Sequence, residues 1–129
     1  MNLEQQVVSL ELAKRMKELG FEQESLYYWV KSPVHGWMIT PKVNALFESL
    51  SAYTVAELME SLPRTLPIKA QGTDYESDYT FDVAKTRDER WEVSYCGLGD
   101  SGCLFIALDE NLANSVAKML IYLKENKLI

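Results

Sequence analysis

The last twenty residues of the chain, Glu110–Ile129 (ENLANSVAKMLIYLKENKLI), decide its fold. From Val116 to Leu123, Lys118 is the only charged residue, so a solvent-facing stripe could be only one residue wide. Helices that are apolar nearly all round are buried on several sides. We therefore predict a C-terminal helix, with Asp109 as its N-cap, that forms the hub against which the rest of the chain packs.

Length and composition restrict the chain to an ordinary globular class. A chain of 129 residues is expected to form one domain, and 47% hydrophobic with 25% charged residues argues against a disordered, fibrous or membrane protein. The longest apolar run is too short to span a bilayer, and the N-terminus lacks the pattern of a secretory signal. We predict a cytoplasmic protein without a membrane partner. The net charge of −6, without Lys or Arg clusters, also argues against nucleic acid as a partner.

Two cysteines, Cys96 and Cys103, are too few for a secreted disulfide scaffold. With one histidine they cannot form an ordinary structural zinc site. Six residues separate them, so a bridge is conceivable, but a reducing compartment favours free thiols, at least one of them buried. We predict no metal and no cofactor.

Two further helices have clear start signals. Ser9 is a favourable N-cap, and the helix after it is expected to end at Gly20, with Phe21 folding back onto it. Thr54 and Glu57 form the spacing of a capping box at the start of a second helix.

Strand patterns fill the middle of the chain. Leu26–Lys31 and Gly36–Thr40 are rich in aromatic and β-branched residues around a turn, which predicts a hairpin. Tyr75–Ala84 and Trp91–Cys96 alternate between apolar and polar residues, which predicts a second hairpin with an aromatic core face and an acidic wet face. Cys103–Leu108 is either another strand or an extended lead-in to the last helix.

Two stretches are less distinct. Leu66–Ala70 is expected to form a short strand, whereas Pro41–Ser51 fits a short helix or an ordered loop equally well. Helices at both ends with strand pairs between them predict a single α+β domain over Met1–Ile129. Its antiparallel sheet would carry the helices on one face.

Three sequence motifs suggest a binding or catalytic site, but each lacks a feature that such a site requires. The glycine spacing of Gly97–Gly102 matches a dinucleotide-binding loop, but no helix start follows it. His35 and Ser101 occur in the order of a serine-protease triad, yet the chain is too short for that fold. Asp74–Asp78 resembles the opening of a calcium loop, but Tyr79 stands where that loop needs glycine. We predict no catalytic residues.

Aromatic residues are concentrated in the first hairpin. Because neighbouring residues of a strand face opposite ways, Tyr28 cannot share the core face with both Tyr27 and Trp29. Either the rest of the chain covers the remaining aromatic surface, or that surface binds a partner. The residues expected to form such an interaction surface are Tyr28, Trp37, Phe47 and Tyr53.

Most of the chain resembles a group of small uncharacterised proteins encoded in bacteriophage and prophage regions. The resemblance lies in Lys17–Phe21 leading to Leu26–Trp29, in Thr54–Leu58, and in Asn111–Ala113 running to Met119–Leu123. All of these are helix and core features. The resemblance implies an origin on mobile DNA and no particular activity.

These observations favour a small non-enzymatic accessory protein that binds another protein or a second copy of itself. An alternative is a ligand-binding domain or small enzyme with a pocket between sheet and helices, supported by a buried carboxylate of raised pKa. That pocket would be lined by Tyr28, Trp37 or Tyr79, with polarity from Asp78, Asp82 or Glu92. A third hypothesis is an acidic mimic of nucleic acid, which would concentrate its carboxylates on one face.

Overall fold

The computed structural model describes residues 2–41, 43, 46–69, 76–97 and 102–129. These residues form three α-helices and seven strands, which confirms the α+β class. The helices are α1 (Leu10–Glu18), α2 (Val55–Glu60) and α3 (Leu112–Glu125), preceded by a 3-10 turn at Leu3–Gln5. The strands are β1 (Tyr28–Ser32), β2 (Gly36–Thr40), β3 (Ser49–Ser51), β4 (Thr65–Lys69), β5 (Glu76–Lys85), β6 (Trp91–Cys96) and β7 (Cys103–Asp109).

The strands form two antiparallel sheets instead of the one predicted. We call the four-stranded sheet, in the order β4-β5-β6-β7, the core sheet, and the three-stranded sheet, in the order β2-β1-β3, the hairpin sheet. Both predicted hairpins, β1–β2 and β5–β6, are present. The predicted strand at Leu66–Ala70 is β4, although Ala70 itself lies outside the described residues, as does Tyr75.

The core sheet shows the predicted alternation. Val93 and Tyr95 are completely buried, and the apolar residues of β5 are half-buried while their neighbours are exposed. Ser94, predicted on the wet face, is also buried. Its small side chain lies between the larger residues Asp82 and Ile106 in the strand register.

The hairpin sheet contains a strand that sequence patterns did not reveal. β3 lies within the stretch predicted to be a helix or a loop, and its Leu50 pairs opposite Trp29 of β1. Three residues are too few for a recognisable alternation, so pairing with β1 is what makes β3 a strand. The Trp29 indole N–H donates to the Val8 carbonyl at 2.9 Å, which ties this sheet to the core.

Helix α3 is the hub of the fold, as predicted. Met119, Leu120 and Leu123 are at most 1% exposed, and α3 contacts α1, α2, β6 and β7. Ser115, also buried, donates its hydroxyl to the Trp91 carbonyl at 2.7 Å. Among the described residues, no helix combines the length and the apolar character needed to cross a bilayer.

The predicted N-cap of α3 was wrong by two residues. Asn111 is the N-cap, and its side-chain oxygen accepts from the backbone N–H groups of Ala113 and Asn114. Asp109 is the last residue of β7, and its carboxylate accepts from the Asn111 N–H at 2.9 Å. Because β6 pairs with Asp109, the chain must turn before the helix can begin.

The other predicted helix ends are confirmed. Ser9 caps α1, and Thr54 with Glu57 forms the capping box of α2. Gly20 has a left-handed backbone, with φ of 85°, and the Phe21 N–H donates to the Met16 carbonyl across it. This is the hydrogen-bond pattern expected when glycine follows a helix.

The two cysteines form a disulfide, so the prediction of free thiols was wrong. Cys96 ends β6 and Cys103 begins β7, and their Cα atoms face each other at 4.0 Å. Strand pairing creates this proximity, and the spacing in sequence alone does not show it. Beyond the bridge, the Gly97 N–H donates to the Gly102 carbonyl at 2.9 Å, while residues 98–101 lie outside the described part.

Candidate functional site

Exposed apolar side chains are concentrated in one short stretch of the chain. Of the seven large apolar residues that are exposed in the described part, five lie between Leu26 and Leu46. They are Leu26, Val34, Met38, Val43 and Leu46, and the other two are Ile106 and Ile129. Concentrated apolar exposure marks interaction sites more often than scattered exposure does.

The strand register explains which side of the hairpin sheet is exposed. Trp29 lies opposite Ile39, and Lys31 lies opposite Trp37, so these four side chains share the face that carries the Trp29 contact to Val8. Met38 lies opposite Val30 on the other face. Val30 is buried outside the main core cluster, whereas Met38 opposite it is 44% exposed.

We define the hairpin surface as Val34, Met38, Leu46 and Phe47. Val34 lies in the β1–β2 turn and is 79% exposed, while Leu46 is 87% exposed. Leu46 and the half-buried Phe47 line a shallow groove of about 380 Å³ beside the end of β1. A second groove, of about 440 Å³, lies between Met38 and the N-terminal 3-10 turn.

The four aromatic residues predicted to form the surface lie in different environments. Tyr28 is half-buried, and its hydroxyl accepts from the Ser25 N–H at 3.3 Å. Trp37 is also half-buried and has the Lys14 ammonium 5.3 Å from its ring centroid. Phe47 belongs to the hairpin surface.

Tyr53, the fourth of these residues, is buried. Its hydroxyl donates to the Glu22 carbonyl and accepts from the Gln23 side-chain amide at 3.4 Å. Burial is the main reason that the pKa of Tyr53 is raised. The alternation of Trp37, Met38 and Ile39 could have identified Met38, but the sequence alone does not say which face of the hairpin is covered.

A larger cleft, of about 870 Å³, lies elsewhere. It is bounded by the 3-10 turn, the start of α2, the β5–β6 turn and the β7–α3 junction. At one wall the Lys85 ammonium lies 5.3 Å from the Trp91 ring centroid and 2.9 Å from the Glu89 carboxylate. The residues expected to line a ligand pocket do not line this cleft: Tyr28, Trp37, Tyr79, Asp78, Asp82 and Glu92.

Asp109 lies at this cleft, and its contacts displace the pKa of its carboxyl group. Burial tends to raise the pKa, but hydrogen bonds from the Asn111 N–H and the Lys118 ammonium, both at 2.9 Å, and from the Asn114 amide outweigh it. The pKa of Asp109 is therefore lowered. A carboxyl group that transfers protons near neutral pH needs a raised pKa, whereas the pKa of Asp109 is lowered. The hydrogen bonds of Asp109 instead hold the β7–α3 junction together.

The outer face of the core sheet is acidic but not densely so. Among the described residues it carries four acidic side chains, out of 19 in the whole sequence. These are Glu76, Asp78, Asp82 and Glu92. The described residues include no group of three or more side chains suited to hold a metal ion, while Asp74 of the calcium-loop motif lies outside them. This dispersion does not favour a mimic of nucleic acid.

Comparison with known proteins adds no relative. No protein-family model matches the chain, and no curated protein or solved structure is significantly similar to it. The resemblance to phage-encoded proteins stays a prediction.

Proposed function

We propose that this protein is a small non-enzymatic accessory protein that acts by binding another protein through the hairpin surface. The observation that supports this most directly is that the hairpin surface holds three of the seven large apolar side chains exposed in the described part of the chain, Val34, Met38 and Leu46. Such residues contribute nothing to the core in their exposed state. A partner that covers them removes apolar area from water, which is the main driving force of association.

The surroundings of the hairpin surface define the chemistry of the partner. Burying an apolar side chain of this size fully is worth about 1.5–3 kcal/mol, so apolar groups of the partner should fill the two grooves. Glu4 lines one groove and Glu48 the other. We expect cationic or polar side chains of the partner at these rims, because charge complementarity steers association.

The test is a capture experiment with a matched control. We compare the wild-type chain with a variant carrying Val34→Ser, Met38→Ser and Leu46→Ser, and with Ile129→Ser, which alters an exposed apolar residue outside the hairpin surface. Tagged proteins are used to capture partners from lysogenic cells, and the captured protein is then purified and titrated. We expect stoichiometric binding to the wild type and to Ile129→Ser and loss of binding in the triple variant. A partner that binds the triple variant equally well contradicts the proposal.

We further propose that the protein is encoded on phage or prophage DNA and resides in the cytoplasm, as its sequence suggests. The Cys96–Cys103 disulfide argues in the other direction, because the cytosol keeps most thiols reduced. Rapid alkylation of intact cells decides between the two. Alkylated cysteines support a cytoplasmic location, whereas a protected disulfide supports an oxidising compartment.

The large cleft favours a second candidate function, the binding of a small ligand. Its volume of about 870 Å³ falls in the range of ligand pockets. Ala56 is exposed at its wall, so Ala56→Trp should fill the cleft without disturbing the core. Native mass spectrometry of the purified chain should then show a co-purified small molecule in the wild type that Ala56→Trp lacks. Detection of no bound molecule in the wild type rejects this candidate.

A further inference from the structure

The pairing of β6 with β7 is irregular at one point, and that point holds the disulfide. Ser94 of β6 pairs with Ile106 of β7. Two residues further along β6, Cys96 pairs with Cys103, which is three residues away from Ile106. β7 therefore has one extra residue here, whereas regular pairing would place Leu104 opposite Cys96. Such bulges re-aim side chains and are concentrated at sheet edges and next to functional sites. The shift in register is what brings the two sulfur atoms together.

The two cysteines of the bridge have different surroundings. Cys103 begins β7, the edge strand of the core sheet, and is exposed, as is Gly102 before it. Cys96 is half-buried. The hydroxyl of Ser94, which is 2% exposed, donates to Cys96 Sγ at 3.5 Å. A thiol from solution can therefore reach Cys103, whereas Cys96 is shielded and lies beside a hydrogen-bond donor.

We propose that Cys103 is a thiol-exchange site, at which a small thiol is attached as a mixed disulfide while Cys96 leaves as the thiolate. The incoming thiolate forms a bond to Cys103 Sγ, and the Sγ–Sγ bond breaks with its electron pair passing to Cys96. The Ser94 hydroxyl stabilises this thiolate by a hydrogen bond, and a stabilised thiolate leaves faster.

The exchange is reversible without an oxidant. The Cys96 thiolate attacks Cys103 Sγ, expels the small thiol as its thiolate and restores the bridge. The bridge thus holds the attached thiol only while that thiol is abundant in solution. This site lies in the core sheet, is separate from the hairpin surface and does not depend on the proposed function.

Nearby charges define which small thiol fits the site best. Thr80 of β5 lies opposite Cys96, and Asp78 and Asp82 flank it on the same outer face of the sheet. Both carboxylates are exposed, and neither forms an ion pair with any residue that the structure describes. Such a surface attracts cations and repels anions. The favoured reactant is therefore an aminothiol, whose ammonium group is cationic.

Mass spectrometry of the wild-type chain tests the site directly. The folded protein is incubated with cysteamine, an aminothiol, the reaction is stopped with acid, and the modified cysteine is located by fragmentation. We expect a mixed disulfide on Cys103 that forms faster than the chain unfolds. Glutathione, which carries a net negative charge, should react more slowly at equal thiolate concentration, and added salt should reduce the difference. An adduct on Cys96, or exchange no faster than global unfolding, overturns the inference.

Matched serine variants test the hydrogen bond to Cys96. Ser94→Ala should slow the exchange about tenfold, because the departing thiolate loses its donor. Ser51→Ala removes a hydroxyl that is buried to the same degree in the hairpin sheet, and the exchange rate should not change. Equal exchange rates in Ser94→Ala and the wild type overturn the inference, since a bridge that only staples the strands needs no donor.

Discussion

The core sheet and the hairpin sheet are both antiparallel, but they hold their apolar residues differently. The inner face of the core sheet is covered by α3, and Val93, Tyr95 and Ala107 are at most 2% exposed. The outer face of the hairpin sheet leaves Met38 exposed, and highly exposed residues lie at its turn end. The difference shows that the inner face of the core sheet is buried in the fold, whereas the outer face of the hairpin sheet leaves apolar surface exposed.

The strongest test of this comparison removes one apolar side chain from each region. Leu120→Ala, in the buried face of α3, should lower the free energy of unfolding by about 3 kcal/mol, because it leaves a cavity in the core. Leu46→Ala, on the hairpin surface, should change it by less than about 0.5 kcal/mol. Urea denaturation measures both values. Equal losses would mean that the two regions contribute alike to stability.

The disulfide gives the next largest expected effect. Cys96→Ser with Cys103→Ser should lower the free energy of unfolding by about 2 kcal/mol, because the open loop regains entropy in the unfolded chain. Urea denaturation of the wild type with added reductant should give the same value. Binding through the hairpin surface should persist, since the bridge belongs to the core sheet. A stability that does not change in either case contradicts this assignment.

The two long helices end in the same hydrogen-bond pattern with different residues. Gly20 follows α1, whereas Lys127, with φ of 56°, follows α3 and lets the Leu128 N–H donate to the Leu123 carbonyl at 2.8 Å. Left-handed backbone is costly for residues with a side chain. Lys127→Gly should therefore stabilise the protein by about 1 kcal/mol, and Gly20→Ala should destabilise it by about 1 kcal/mol. Thermal unfolding measures both changes, and shifts of the same sign would refute the explanation.

The smallest effect concerns pH. The folded-state pKa of Asp109 lies below its ordinary value of 3.8, so its contribution to stability is complete above that pH and declines as the pH falls through the folded pKa. Asp109→Asn should weaken the loss of stability in acid. Urea midpoints measured from neutral pH down to strongly acidic pH would show it. An unchanged acid profile would mean that the Lys118 and Asn111 contacts do not persist in solution.

Several features of the fold could be predicted because their causes are local. A run from Val116 to Leu123 with one charge has no wet face, so burial of α3 followed directly. Ser9 caps the helix that begins beside it. The alternation of polar and apolar residues in β5 shows which of them lie on each face of the strand. The interaction surface predicted from aromatic content stays a prediction, and it did not include the exposed apolar residues Met38 and Leu46.

Tertiary structure alone decided the rest, because it depends on pairing between distant segments. β3 is a strand because β1 lies beside it, and Cys96 meets Cys103 because β6 and β7 are neighbours. Asn111 caps α3 in place of Asp109, because β7 extends as far as Asp109. The sequence determined which residues alternate along the strands and which helix is buried. The packing of the two sheets determined which strand face meets solvent, because the exposure of a face depends on what covers it.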